Sequence, residues 1–203
     1  DLYPDFLTRL EQIDPAWNTF AVLDWPPLGT TNANGPLFSD LIDVKVNVNG
    51  DTMGYPAGDA LSCRVAAQYL SSEPVDAAFV YLGNPDVASH DHGTYAEPYR
   101  EAIEEADRCV GLLVDALESR PDIGEEDWLI LSSTDHGRNE DGGHGGDSEE
   151  ELTIYYLASG ASVDNQATGV PEIVDVAVTA LAHLGVAIAP DWKLDGKVMG
   201  LKR

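Results

Sequence analysis

The chain has 203 residues, 43% hydrophobic and 23% charged, which is enough for a hydrophobic core of globular composition. Its 36 acidic residues against 11 basic ones give a net charge of −25; nucleic acid and anionic membranes are disfavoured as partners, because both are held by basic faces. No apolar run approaches the ~20 residues of a membrane helix, and the first residues have neither the basic start nor the apolar core of a signal peptide.

Tyr3 to Ile13 reads as a short helix with Phe6, Leu7, Leu10 and Ile13 on one face. Thr19 to Leu23 is a short strand, stopped by Trp25-Pro26-Pro27 because proline cannot continue a central strand. Leu28 to Ser39 is a loop rich in Gly, Asn and Thr. Val44, Val46 and Val48 alternate with Lys45 and Asn47, the pattern of a half-exposed strand near a sheet edge. Asp59 is placed to cap a helix running to about Ser71. Ala77 to Leu82 is an apolar strand that delivers Gly83-Asn84-Pro85-Asp86. Thr94 and Glu97 have capping-box spacing for the next helix, whose inner stripe is Tyr99, Ile103, Ala106, Val110, Leu113 and Leu117. Cys63 and Cys109 fall on the two predicted helices and are expected as free buried thiols, since two cysteines make no disulfide framework.

Trp128 to Leu131 is an uninterrupted apolar run, which reads as a strand buried on both faces. Leu152 to Ala158 reads as another strand, and Pro171 opens a helix lined by Ile173, Ala177, Ala180, Leu181 and Leu184. The tail holds only a turn at Leu194-Asp195-Gly196-Lys197. Strands alternating with helices predict one α/β domain over 1–203, a three-layer α/β/α sandwich with a mainly parallel sheet.

Four of the five histidines fall in two segments that follow predicted strands. Asp86 is followed by His90 and His92; Asp135 is followed by His136 and, in a Gly-rich loop, His144. Parallel neighbouring strands would bring both clusters to one sheet edge, where open α/β sheets place ligands. Asp86, His90 and His144 would make a three-ligand set with an open position, as a catalytic zinc requires. Asp135 and His136 would begin a second site; two-metal hydrolases hold their ions ~3.5–4 Å apart. Taken alone, Asp135-His136-Gly137 is equally readable as an ordinary strand-to-loop turn. His183 reads as structural, Glu149-Glu150-Glu151 as a solvated charge run, and Thr153, Tyr155 and Tyr156 as core.

Three motifs together, Asp86-x-x-Ser89-His90-x-x-Gly93, Thr134-Asp135-His136-Gly137 and Gly143-His144-Gly145-Gly146, resemble the metal motifs of the alkaline phosphatase superfamily. The nearest resemblance is to its type I phosphodiesterase/nucleotide pyrophosphatase and sulfatase-like members. Trp25-Pro26-Pro27 and Leu194-Asp195-Gly196-Lys197 are similar too. The resemblance implies that Asp86, His90 and His144 hold one divalent metal ion and that Asp135 and His136 hold a second. Zinc is favoured, because calcium-type sulfatases of the superfamily lack such histidines. His92 matches no ligand of the pattern.

Family members begin with a strand ending in an Asp ligand, followed by a Thr or Ser nucleophile at a helix start. That section has no counterpart here, and Asp24 with Thr30 or Thr31 is the conceivable stand-in. The resemblance therefore implies the C-terminal portion of a larger hydrolase domain, a poor catalyst alone. The complete enzyme would be a metal-dependent phosphoric-ester hydrolase, of phosphodiesterase or phosphatase type, acting on a small phosphate ester through a covalent phospho-enzyme. The alternatives are a non-catalytic metal-binding or assembly domain, and a phosphomutase-type relative. An extracytoplasmic location is compatible with the family, and an exposed apolar sheet edge would favour self-association.

Overall fold

A computed structural model describes residues 3–30 and 35–202. They group into two units, one of residues 1–123 with 140–143, the other of residues 124–139 with 144–203.

In the first unit, helix α1 (Phe6–Ile13) is opened by Asp5, whose carboxylate accepts from the Thr8 amide at 2.9 Å. Leu7 and Leu10 of α1 are fully buried. Strand β1 (Thr19–Leu23) is buried at every residue. It lies at the centre of a three-stranded parallel sheet, between β2 (Val44–Asn47) and β3 (Ala77–Val80). Its two faces meet different helices. The Thr19 hydroxyl donates to Glu11 of α1, and Phe20, pointing the other way, stacks at 4.4 Å on Tyr69 of α4 (Tyr55–Ser72). A strand covered on both sides needs apolar residues at successive positions, and Phe-Ala-Val-Leu supplies them. Pro26 and Pro27 end β1 as expected and open a one-turn helix, α2 (Pro26–Gly29), where the missing amide protons cost nothing. A second one-turn helix, α3 (Gly50–Met53), precedes α4. Strand β3 leads into α5 (Asn84–His92), and α6 (Glu97–Glu118) follows.

Two expectations for this unit are corrected. Cys63 of α4 and Cys109 of α6 are not free thiols: they form a disulfide, with Cα atoms 5.6 Å apart. A separation of 46 residues says nothing about proximity; the packing of α4 on α6 creates it. The inner face of α6 is also rotated. Its buried residues are Ala102, Cys109, Ala116 and Leu117, while Ile103 is exposed. The small residues Ala102, Cys109 and Ala116, seven apart, let the helices approach along this face. Helix α6 begins after Ala96, not at a Thr94 cap: the Thr94 amide donates to the Glu140 carbonyl, and Glu97 pairs with Arg100.

In the second unit, β4 (Ile130–Ser133) pairs antiparallel with β5 (Tyr156–Ser159), Ile130 facing Ser159. Strand β4 begins two residues later than its apolar run, and all four residues are half-buried, not buried on both faces. The expected strand from Leu152 starts later because Ser148 caps a one-turn helix, α7 (Glu149–Leu152). Tyr155 is exposed, its hydroxyl 2.7 Å from that of Ser132. Helix α8 (Ile173–His183) opens with a reciprocal box between Glu172 and Asp175 and buries Val178, Thr179 and Leu181. The tail lies along it: Lys197 donates its amide to Asp175, and Met199 to Thr179. His183 is structural, with Nε2 2.8 Å from the Asp127 carbonyl and Nδ1 3.2 Å from the Ser162 hydroxyl. The chain is of the α/β class, and among the described residues no helix is long and apolar enough to cross a membrane.

Candidate functional site

The first unit contributes Asp86 and His90. Both lie on α5, four residues apart, which places them on one face of the helix. Asp86 Oδ1 and His90 Nε2 are 3.5 Å apart, and both side chains remain partly exposed. Asp86 sits in the first turn, where the helix dipole favours a carboxylate. His92 is exposed at the last position of α5. The face behind α5 is fixed by Ser89, fully buried, whose hydroxyl donates to the Asp86 carbonyl at 2.9 Å. Gly142, with φ of +83°, lies against it; a Cβ there would overlap the Ser89 carbonyl oxygen.

Behind the same helix are two acids: Asp59, expected only as a helix cap, and Asp24, the conceivable stand-in ligand. Asp59 of α4 accepts hydrogen bonds from the amides of Gly83 at 3.0 Å and Asn84 at 3.2 Å. Asp24, just past β1, is fully buried and hydrogen-bonded to Asp59. Burial above all, then the hydrogen bond and the charge of Asp59, push the Asp24 carboxyl up to about 9. Burial also raises Asp59, against the amides that hold it down. The stand-in reading of Asp24 with Thr30 gains nothing: the Thr30 hydroxyl donates to the Pro26 carbonyl at 2.9 Å. Thr31 lies outside the described residues.

The second unit contributes Asp135, His136 and His144. Asp135 and His136 follow β4 directly; Asp135 Oδ1 and His136 Nε2 are 3.5 Å apart, with Asp135 largely exposed. His136 Nδ1 donates to the Gly137 carbonyl at 2.9 Å, which makes Nε2 the nitrogen that carries the lone pair. The His136 and His144 rings stack at 3.8 Å, 15° from parallel. Each offers a ligand nitrogen within 4.8 Å of the other.

Helix α7 holds this arrangement. The Gly137 amide donates to the Glu151 carbonyl at 2.8 Å, and the Arg138 amide to that of Glu150 at 3.1 Å. Gly137 has no room for a side chain, since a Cβ would overlap the Glu150 carbonyl oxygen. The Glu151 carboxylate accepts from the Ser148 hydroxyl at 2.7 Å and from the Gly146 amide at 3.1 Å, and these bonds hold it below the usual carboxylate range. Glu151 therefore ties down the loop that carries His144, a role hidden in what reads as a solvated acidic run. Imidazole nitrogens with carboxylate oxygens are the donor set of zinc and its borderline neighbours, so these residues fit such an ion.

Residues 13–140, more than half of the chain, match the model of the type I phosphodiesterase / nucleotide pyrophosphatase family. Residues 153–199 match a domain of unknown function (DUF4983). No curated protein matches. Solved structures share the fold. A protein of Bacteroides thetaiotaomicron VPI-5482 provisionally assigned as a sulfatase aligns with a TM-score of 0.61 and 12% identity, over 96% of this chain and 55% of its own. A 2-O GAG sulfatase aligns with a TM-score of 0.62 and 12% identity, over 95% and 54%. A phosphoglycerate mutase of Leishmania mexicana aligns with a TM-score of 0.59 and 16% identity, over 95% and 39%. Such identities show a common fold alone, and this chain spans about half or less of the length of those proteins.

Proposed function

The chain belongs to the type I phosphodiesterase / nucleotide pyrophosphatase family of the alkaline phosphatase superfamily, and from that premise we propose that it is the C-terminal portion of a metal-dependent phosphoric-ester hydrolase domain. Its ligands are Asp86, His90 and His144 for one divalent ion and Asp135 and His136 for a second, with zinc as the fitting metal. The observation that carries the reading is the His136–His144 stack. Their ligand nitrogens lie within 4.8 Å of one another, close enough for both imidazoles to serve one metal centre. Bound, such ions supply Lewis acidity toward a transferring phosphoryl group. The chain's own residues do the positioning: the Gly137 carbonyl sets the His136 tautomer, and Glu151 anchors the loop of His144. The substrate is a small phosphate ester, and the nucleophile is a Thr or Ser that these residues do not assign.

Zinc titration of the purified chain, followed by calorimetry, tests the ligand set. Wild type is expected to take up close to two ions, and H144A to lose the tighter one. A longer protein that includes a nucleophile is expected to hydrolyse bis(p-nitrophenyl) phosphate, and H144A in that protein to be inactive. Full activity in H144A removes it from the ligand set; no metal uptake and no turnover overturn the hydrolase reading in favour of a non-catalytic assembly domain. The likeness to a phosphoglycerate mutase favours a second reading, a phosphomutase-type relative. Transfer of phosphate between hydroxyls without release of inorganic phosphate would select it. Strand β2 is an edge of the three-stranded sheet, where a second copy would add a strand; a monomer by light scattering rejects that association.

A further inference from the structure

Two carboxyl groups that the ligand pattern does not use are buried together behind α5. Asp24 is 0% exposed and Asp59 is 8% exposed. The Tyr55 ring lies over them, close enough to Gly50 and Gly83 that a side chain at either glycine would strike it. The Tyr55 hydroxyl donates to Asp51, and Tyr81 stands nearby, so acids and phenols surround the pair. Burying two acids side by side opposes folding. An amide or apolar pair would fill the same volume without that penalty. What the acids add is direction. Asp59 receives the amides of Gly83 and Asn84, the cap and first residue of α5, with both of its oxygens engaged. These are N–H groups that a helix start leaves without a partner of its own.

We propose that Asp59, backed by Asp24, is a positioning residue for the metal ligands: its carboxylate grips the first turn of α5 and fixes the rotation at which Asp86 and His90 are presented. The proposal rests on the reading of those two residues as ligands. A helix turns ~100° and rises ~1.5 Å per residue, so His90 stands about 9 Å along the axis from the grip at Asn84. A small tilt at the grip is enlarged at that distance. Asp24, fully buried beside it, adds a second carboxyl oxygen 3.5 Å from the Gly83 amide.

The test uses D59A and D59N in the full chain, with amide hydrogen exchange at Gly83 to Val87 and titration with zinc alone. In D59A, exchange at Gly83 and Asn84 is expected to accelerate by about 10-fold or more, and zinc affinity to fall by about 10- to 100-fold, the usual effect of removing a group that orients a ligand. Amides of α6 are expected to keep their protection. D59N keeps one acceptor oxygen and is expected to fall between. Unchanged exchange in D59A overturns the proposal. Faster exchange with wild-type zinc affinity also overturns it, since Asp59 would then be a cap and nothing more. If D59A does not fold, D59N decides alone, and equality with wild type in both measurements overturns the proposal. If wild type itself binds no zinc, the ligand reading falls, and exchange at Gly83 and Asn84 alone judges the grip.

Discussion

Replacing Asp24 by Asn should remove most of the loss of stability that this protein suffers as pH rises. The substitution keeps the shape, cannot ionise, and presents an amide donor to Asp59. In the wild type, burial and the neighbouring Asp59 push the Asp24 carboxyl from 3.8 up to about 9. An unfolded chain releases that proton near pH ~4. Between roughly pH 4 and 9 the folded state therefore binds one proton more than the unfolded state, and stability falls by about 1.4 kcal/mol for each pH unit. From pH 5 to pH 8 the loss is about 4 kcal/mol. Asn has no proton to keep, so the slope vanishes with the carboxyl. Urea unfolding of wild type and D24N at steps from pH 5 to 8, at fixed ionic strength, measures the difference, and subtraction cancels the groups that do not interact with Asp24. D24N is expected to gain on wild type by about 4 kcal/mol across the range. Two curves parallel to within about 1 kcal/mol would refute the reasoning, because Asp24 would then be ionised in the fold.

Replacing both Cys63 and Cys109 by Ser opens a loop of 46 residues and should lower stability by about 2–4 kcal/mol in urea; two reactive thiols per chain in denaturant without reductant would deny the disulfide. A net charge of −25 repels itself across the folded surface, so raising KCl from about 0.1 to 1 M, which shortens the screening length from ~10 to ~3 Å, should raise the unfolding midpoint. A flat or falling midpoint counts against charge repulsion as a main opponent of folding. G137A drives a Cβ into the Glu150 carbonyl and should cost about 1–3 kcal/mol together with zinc affinity; wild-type behaviour in calorimetry would mean that this turn is free to move.

Elements whose signal is local were legible before any coordinates. Strand β1 runs over the residues expected, because five apolar or small residues closed by Asp-Trp-Pro-Pro leave little choice. The family motifs were legible for a similar reason: histidine and aspartate set among glycines after apolar runs carry the family resemblance in their order and spacing. What failed depends on which helix meets which. The pairing of Cys63 with Cys109 and the rotation of α6 away from Ile103 both follow from contact between α4 and α6, which no periodicity encodes. Asp59 was read as the cap of its own helix; it caps the next one, α5, reached only after the chain has returned through β3. Glu151 was hidden because a third glutamate in a row looks like solvent-facing charge, while its partners, Ser148 and the Gly146 amide, lie within the same short stretch. Half-burial of β4 also went unread, since an apolar run does not say how many faces will be covered.

The route of the backbone has a consequence for biosynthesis. Residues 140–143 belong with the first unit, where Glu140 receives the Thr94 amide and Gly142 lies under Ser89, yet residues 124–139 belong with the second. A ribosome making this protein cannot finish the earlier body until it has already emitted the opening stretch of the later one. A nascent chain halted after residue 123 would therefore leave Ser89 of α5 without the Gly142 that lies against it.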